Sequence, residues 1–69
     1  MSMKGTVESM GSGFGKIKSQ EGEIILFDVT KCIYEGPEAG DSVVFDVKQG
    51  WDGKPRAINV KCPDKPEKV

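Results

Sequence analysis

Sixty-nine residues with 36% apolar content allow one small domain, because a chain of this size buries only about 60% of its unfolded surface. Ten basic side chains stand against eleven acidic ones for a net charge of -1, which excludes a polycation that holds nucleic acid by bulk charge. Histidine is absent, which removes the commonest general base, and Cys32 and Cys62 by themselves fall short of a zinc site. No enzyme activity, metal or cofactor is expected. No run reaches the length of a membrane-crossing helix, and the amino terminus lacks the apolar stretch of a signal peptide, so no membrane partner is expected either. The expected location is the cytoplasm, with both thiols reduced.

Met3 to Met10 alternates loosely and carries Thr6 and Val7, which predicts a first strand. Gly11 to Gly13 is a glycine-rich turn leading into Phe14-Gly15-Lys16-Ile17-Lys18-Ser19, a second strand. Phe14, Lys16 and Lys18 share one face of it, and Gly15 and Ile17 the other. Glycines inside or beside a strand contribute no packing and cost backbone entropy. Gly13 and Gly15 therefore read either as an ordinary turn or as room for a flat ligand on Phe14. Gln20-Glu21-Gly22 is a three-residue hairpin signal with glycine where a positive φ is needed.

Glu23 to Asp28 is the third strand. Ile24 and Leu26 are assigned to the core, which puts Ile25 and Phe27 on the other side. That second side is either buried in a central strand or an exposed binding surface. Val29 to Ile33 predicts one helical turn, and Tyr34 to Asp41 a loop. Ser42 to Gln49 alternates cleanly as a fourth strand with Val43, Phe45 and Val47 inward. A turn-rich loop, Gly50 to Pro55, carries Trp51. Arg56 to Cys62 is the fifth strand, with Ile58 and Val60 inward. The expected division is a barrel over residues 1–62 and a charged, flexible carboxy-terminal tail over 63–69.

Five short strands in so small a domain predict an all-β, five-stranded antiparallel Greek-key barrel, since closure removes edges that invite aggregation. The oligonucleotide-binding barrel is the natural candidate, with a ligand face on its second and third strands.

The segments resemble the cold-shock domain. Lys4-Gly5-Thr6-Val7 is similar to that family's opening strand, and Ser12-Gly13-Phe14-Gly15-Lys16-Ile17 to its first ribonucleoprotein motif, usually Lys-Gly-Phe-Gly-Phe-Ile. Glu23 to Asp28 occupies the place of the second motif, usually Asp-Val-Phe-Val-His-Phe. Ala39 to Phe45 is similar to the turn into the fourth strand, and Gly53 to Val60 to the final strand, with one inserted residue before the proline. The resemblance implies binding of single-stranded RNA or DNA by bases stacked on aromatic rings and a backbone guided by lysines.

Departures from the motifs bear on affinity. Glu8-Ser9-Met10 stands where the family has Lys-Trp-Phe, Lys16 replaces the second aromatic of the first motif, and Ile25 and Asp28 replace phenylalanines of the second. Phe14 is retained, and Phe27 keeps a ring in place of imidazole. Each base-aromatic stack is worth about 1–3 kcal/mol, so the expected partner is bound weakly or with altered selectivity. The candidate nucleic-acid site is Phe14, Lys16, Lys18, Ile25, Phe27, Trp51, Lys54 and Arg56, in which Phe14 and Phe27 stack bases, Lys16 and Lys18 hold phosphates, and Trp51 with Arg56 extends the surface. The alternative is a barrel that docks another protein through Met10, Ile25 and Phe27, an apolar cluster poor in charge.

Overall fold

Strands β1 (Ser2–Met10), β2 (Phe14–Ser19), β3 (Ile24–Asp28), β4 (Ser42–Gln49) and β5 (Pro55–Lys61) follow one another along the chain, with a 3₁₀ turn at Val29–Lys31. They belong to a computed structural model that describes residues 2–50 and 52–68. Local chemistry sets the first turn pair. Gly22 takes φ 89, a left-handed conformation costly to residues with a side chain, and closes the β2–β3 hairpin by donating its N–H to the Ser19 carbonyl at 2.9 Å. Ser19 Oγ accepts from the Glu23 N–H at 3.1 Å and completes the turn.

The strands close into a barrel in the order β1-β2-β3-β5-β4, with β4 returning to β1. Four seams are antiparallel, but β3 and β5 run parallel, Leu26 opposite Arg56 and Phe27 opposite Ala57. The expected all-β, five-stranded antiparallel barrel is met, with this one parallel seam closing it. Parity is the reason: an odd number of strands cannot alternate direction all the way round a closed ring.

Alternation builds the interior, and Val7, Ile17, Val43, Phe45 and Val60 are buried in it. On β3 the inward residues are Ile25 and Phe27, 2% and 1% exposed, whereas Ile24 is 49% exposed and Leu26 half-buried. The expected core positions Ile24 and Leu26 thus exchange places with Ile25 and Phe27. All four are apolar, so β3 by itself does not choose a face. β2 chooses it: Gly15 lies opposite Phe27, and a Cβ on Gly15 would stand 2.7 Å from the Phe27 ring. The glycine leaves the space that the ring fills.

A second correction falls on β5. Ala57 and Val60 point inward, three positions apart, and Ile58 is only half-buried. Between the pairs Asp46↔Ile58 and Val44↔Lys61, β5 advances three residues against two on β4, and Asn59 takes φ 51 within that bulge. One extra residue resets the alternation. Val47 lies near the end of β4 and is 39% exposed.

Residues 63–68, expected as a flexible tail, run along the loop that precedes β4. The Glu35 N–H donates to the Pro66 carbonyl at 3.0 Å and the Lys68 N–H to the Ile33 carbonyl at 2.8 Å. Lys65 Nζ donates to the Gly36 carbonyl at 2.7 Å and to Asp41 Oδ2 at 3.1 Å, and the hydroxyl of fully buried Tyr34 reaches the same carboxylate oxygen at 3.0 Å. Charge and proline content describe the segment alone; the loop supplies the partners that hold it.

Gly5 makes the β1–β2 seam. A Cβ there would stand 2.6 Å from the Lys18 carbonyl oxygen and 2.9 Å from Ile17 Cγ2, and a backbone oxygen within a ladder cannot step aside. Gly5→Ala is expected to cost about 1 kcal/mol or more through overpacking. In a domain of this size that lowers the melting temperature by roughly 4–8 °C per kcal/mol. Thermal unfolding followed by circular dichroism checks it, and an unchanged midpoint contradicts the close approach.

Candidate functional site

The antiparallel register of β2 and β3 decides what their outer face carries. Phe14 lies opposite Asp28, Lys16 opposite Leu26, and Lys18 opposite Ile24. Phe14 is 51% exposed, Lys16, Lys18, Ile24 and Asp28 are exposed, and Leu26 is half-buried between them. The preceding loop holds Phe14 in place: the Gly11 N–H donates to the Phe14 carbonyl at 2.7 Å, and the Gly13 carbonyl accepts from the Val29 N–H at 3.1 Å. A Cβ on Gly11 would meet the Phe14 ring at 3.7 Å, so the ring lies back against the loop without being covered by it.

This face continues into a groove of about 620 Å³ over the parallel β3–β5 seam. Phe14, Leu26 and Ile58 give it apolar walls. Lys31 from the 3₁₀ turn, Lys48 from β4 and Arg56 from β5 bring three cations to it, and Asp28 brings one carboxylate. Arg56 is held by an ion pair, Nη2 to Asp52 Oδ2 at 2.9 Å, and by a hydrogen bond from Nη1 to the Pro55 carbonyl at 3.1 Å. The Lys54 N–H, foremost, and the Arg56 guanidinium hold the Asp52 carboxyl below the usual carboxylate range, against a smaller opposing effect of burial. Asp28 caps the 3₁₀ turn: its Oδ1 accepts from the Thr30 N–H at 2.9 Å and from the Thr30 hydroxyl at 2.8 Å. Those two bonds, the N–H first, hold its carboxyl below the usual range, and Lys31 adds to the effect. Among the described residues no cluster of three or more His, Cys, Asp or Glu side chains is arranged to hold a metal ion, and no helix is long and apolar enough to cross a membrane.

No family model matches the chain. Cold shock protein 1 of Arabidopsis thaliana is 38% identical over 55 residues, which cover 74% of this chain and 18% of the relative. The solved structure of Drosophila Unr CSD456 superimposes with a TM-score of 0.78 at 28% identity, over 93% of this chain and 28% of that one. The chain is a cold-shock-domain-like barrel. It spans less than a third of the length of either protein.

The cold-shock-domain-like barrel brings some of the expected site residues together and separates others. Phe14 and Arg56 line the groove, and Lys16 and Lys18 extend from it along β2. Ile25 and Phe27 are corrected: both are core residues, 2% and 1% exposed, so neither stands out as an open stacking surface, although Phe27 lies beneath the groove as part of its lining. The protein-docking patch of Met10, Ile25 and Phe27 is corrected with them. A bulge at Glu8, between the pairs Val7↔Ile17 and Ser9↔Lys16, turns Met10 toward the core, where its sulfur lies 2.9 Å from the place of a Gly15 Cβ. Lys54 does not line the groove; its backbone braces the Asp52 loop instead. Trp51 lies outside the described residues.

Leu26, Asp28, Lys31, Lys48 and Ile58 join the site from outside the expected set. Lys48 follows from the alternation of β4, since its parity is opposite to that of Val43 and Phe45. The parallel seam, which carries it to the same groove as Phe14, has no local sequence signature.

Proposed function

We propose that this cold-shock-domain-like barrel is a non-catalytic module that binds single-stranded nucleic acid along the outer face of β2–β3 and the groove over the β3–β5 seam. One observation carries the reading. In a chain of net charge -1, five of the ten basic side chains lie on this one surface: Lys31, Lys48 and Arg56 line the groove with the exposed Phe14 ring, and Lys16 and Lys18 follow it along β2. A flat apolar surface edged with cations suits a base and its phosphate, because stacking tolerates any base and the cations follow the backbone. Among the described residues Phe14 is the one exposed ring, since Phe27, Tyr34 and Phe45 are buried. A single platform worth about 1–3 kcal/mol makes for weak binding that depends strongly on salt.

Fluorescence anisotropy of short labelled oligodeoxynucleotides at two salt concentrations tests this. Binding is expected to weaken with salt at a slope near -0.7 per phosphate contact. No binding at high micromolar protein in low salt would remove the reading.

A further inference from the structure

We propose that Asp28 is a specificity-determining residue, selecting at the Phe14 position a base that carries an exocyclic amino group and disfavouring uracil and thymine. The inference rests on the single-strand reading above, and the strand register carries it. Asp28 stands directly opposite Phe14 across the β2–β3 pair, and both line the groove. Side chains so paired have Cβ atoms about 4.5–5.5 Å apart, close to the width of a base. A base lying on the Phe14 ring therefore turns an edge toward the carboxylate.

The carboxylate is built to act as a fixed acceptor. Both of its hydrogen bonds, from the Thr30 N–H and the Thr30 hydroxyl, go to Oδ1 and fix the plane of the group. Oδ2 takes part in neither. An aspartate is ionised at neutral pH, the Thr30 donors and Lys31 lower its pKa further, and an ionised carboxylate can only accept. Cytosine N4, adenine N6 and guanine N2 present amino donors to such an oxygen. Uracil and thymine offer one donor, N3–H, flanked by two carbonyl oxygens that the carboxylate repels.

A negative charge beside a polyanion also lowers affinity for every sequence. That loss makes sense as specificity obtained by penalising the wrong partner. Lys31, near enough to stabilise the carboxylate, limits the loss without removing the acceptor.

Labelled oligo-dC and oligo-dU of equal length separate the edge from everything else, because the two pyrimidines share sugar, phosphate and a similar stacking face. The wild-type protein is expected to bind oligo-dC about tenfold more tightly, as one base-edge contact implies. Asp28→Asn keeps an amide oxygen for the Thr30 N–H but adds an amino donor, so the preference should fall toward unity as oligo-dU binding rises. Equal binding of the two oligonucleotides by the wild-type protein, or an unchanged ratio in Asp28→Asn, overturns the role of Asp28 and leaves the single-strand reading standing. Failure to bind either oligonucleotide overturns both.

Discussion

Tyr34→Ala should leave the domain largely unfolded at room temperature, while Tyr34→Phe should fold. Tyr34 is fully buried among the core residues, and replacing a buried aromatic by alanine costs about 3–5 kcal/mol through lost burial and the cavity left behind. A single core in a chain of this size supplies about 3–5 kcal/mol in total, so the substitution consumes most of it. Tyr34→Phe loses one hydrogen bond, worth about 0.5–1.5 kcal/mol net, and Asp41 keeps its bonds from the Glu38 N–H and Lys65. Urea unfolding of the two variants checks the contrast. A Tyr34→Ala midpoint equal to that of wild type would mean that the ring does not hold the loop and the carboxy-terminal segment on the barrel.

The same network sets a pH dependence. Burial works to raise the Asp41 carboxyl, but the Glu38 N–H, the Lys65 ammonium and the Tyr34 hydroxyl together outweigh it and hold the group below its ordinary value of 3.8. As pH falls through 3.8 the unfolded chain takes up this proton before the folded one does. The contribution of Asp41 is therefore complete above that value and lost as pH drops through the lower folded one. At the other limit burial, with the Asp41 contact, raises the Tyr34 hydroxyl above its ordinary 10.0, so its contribution is present below pH 10 and lost as the unfolded chain ionises above it. Tyr34→Phe should remove the alkaline part of this loss, read as a flatter denaturation midpoint above pH 10.

The elements legible in the sequence are those whose chemistry is local. The limits of β2 and β4 follow from alternation between turn residues, Gly22 from the positive φ its hairpin needs, and the 3₁₀ turn from Val29 onward. The faces of β3 and β5 were not legible, for different reasons. Ile24, Ile25, Leu26 and Phe27 are apolar on both parities, and the choice between them is made by Gly15 on the neighbouring strand. On β5 the parity is broken by the bulge at Ile58 and Asn59, which a strict period of two cannot show.

The site divides in the same way. Phe14, Lys16 and Lys18 share a strand face at a spacing of two, so their grouping is written in consecutive residues. Asp28 enters only through its register with Phe14, and Lys31, Lys48 and Arg56 meet only because the chain crosses the barrel to place β5 parallel to β3. The Phe27 ring, expected on the surface, belongs to the core. Buried Phe27 remains beneath the groove, whose outer walls are Phe14, Leu26 and Ile58, with cations from three separate elements.

Phe14→Ala is expected to weaken binding of a short single strand by about 1–3 kcal/mol, roughly 5- to 150-fold, without changing its salt slope. The two parts of that expectation separate stacking from charge. Removing the ring takes away a platform but no phosphate contact, so the number of counterions released stays the same. Lys16→Met or Lys48→Met should do the reverse: each lowers the magnitude of the slope by about 0.7 for one lost phosphate contact and weakens all sequences alike. The ring is half exposed and the Gly11 to Phe14 turn is closed by backbone bonds, so Phe14→Ala should keep the wild-type melting temperature and any loss of affinity belongs to the surface. Anisotropy titrations of the three variants at several salt concentrations, beside their melting curves, make the comparison. Unchanged affinity in Phe14→Ala would leave the cations of the groove as the whole binding surface, while a reduced slope there would show that the ring had been positioning a cation rather than a base.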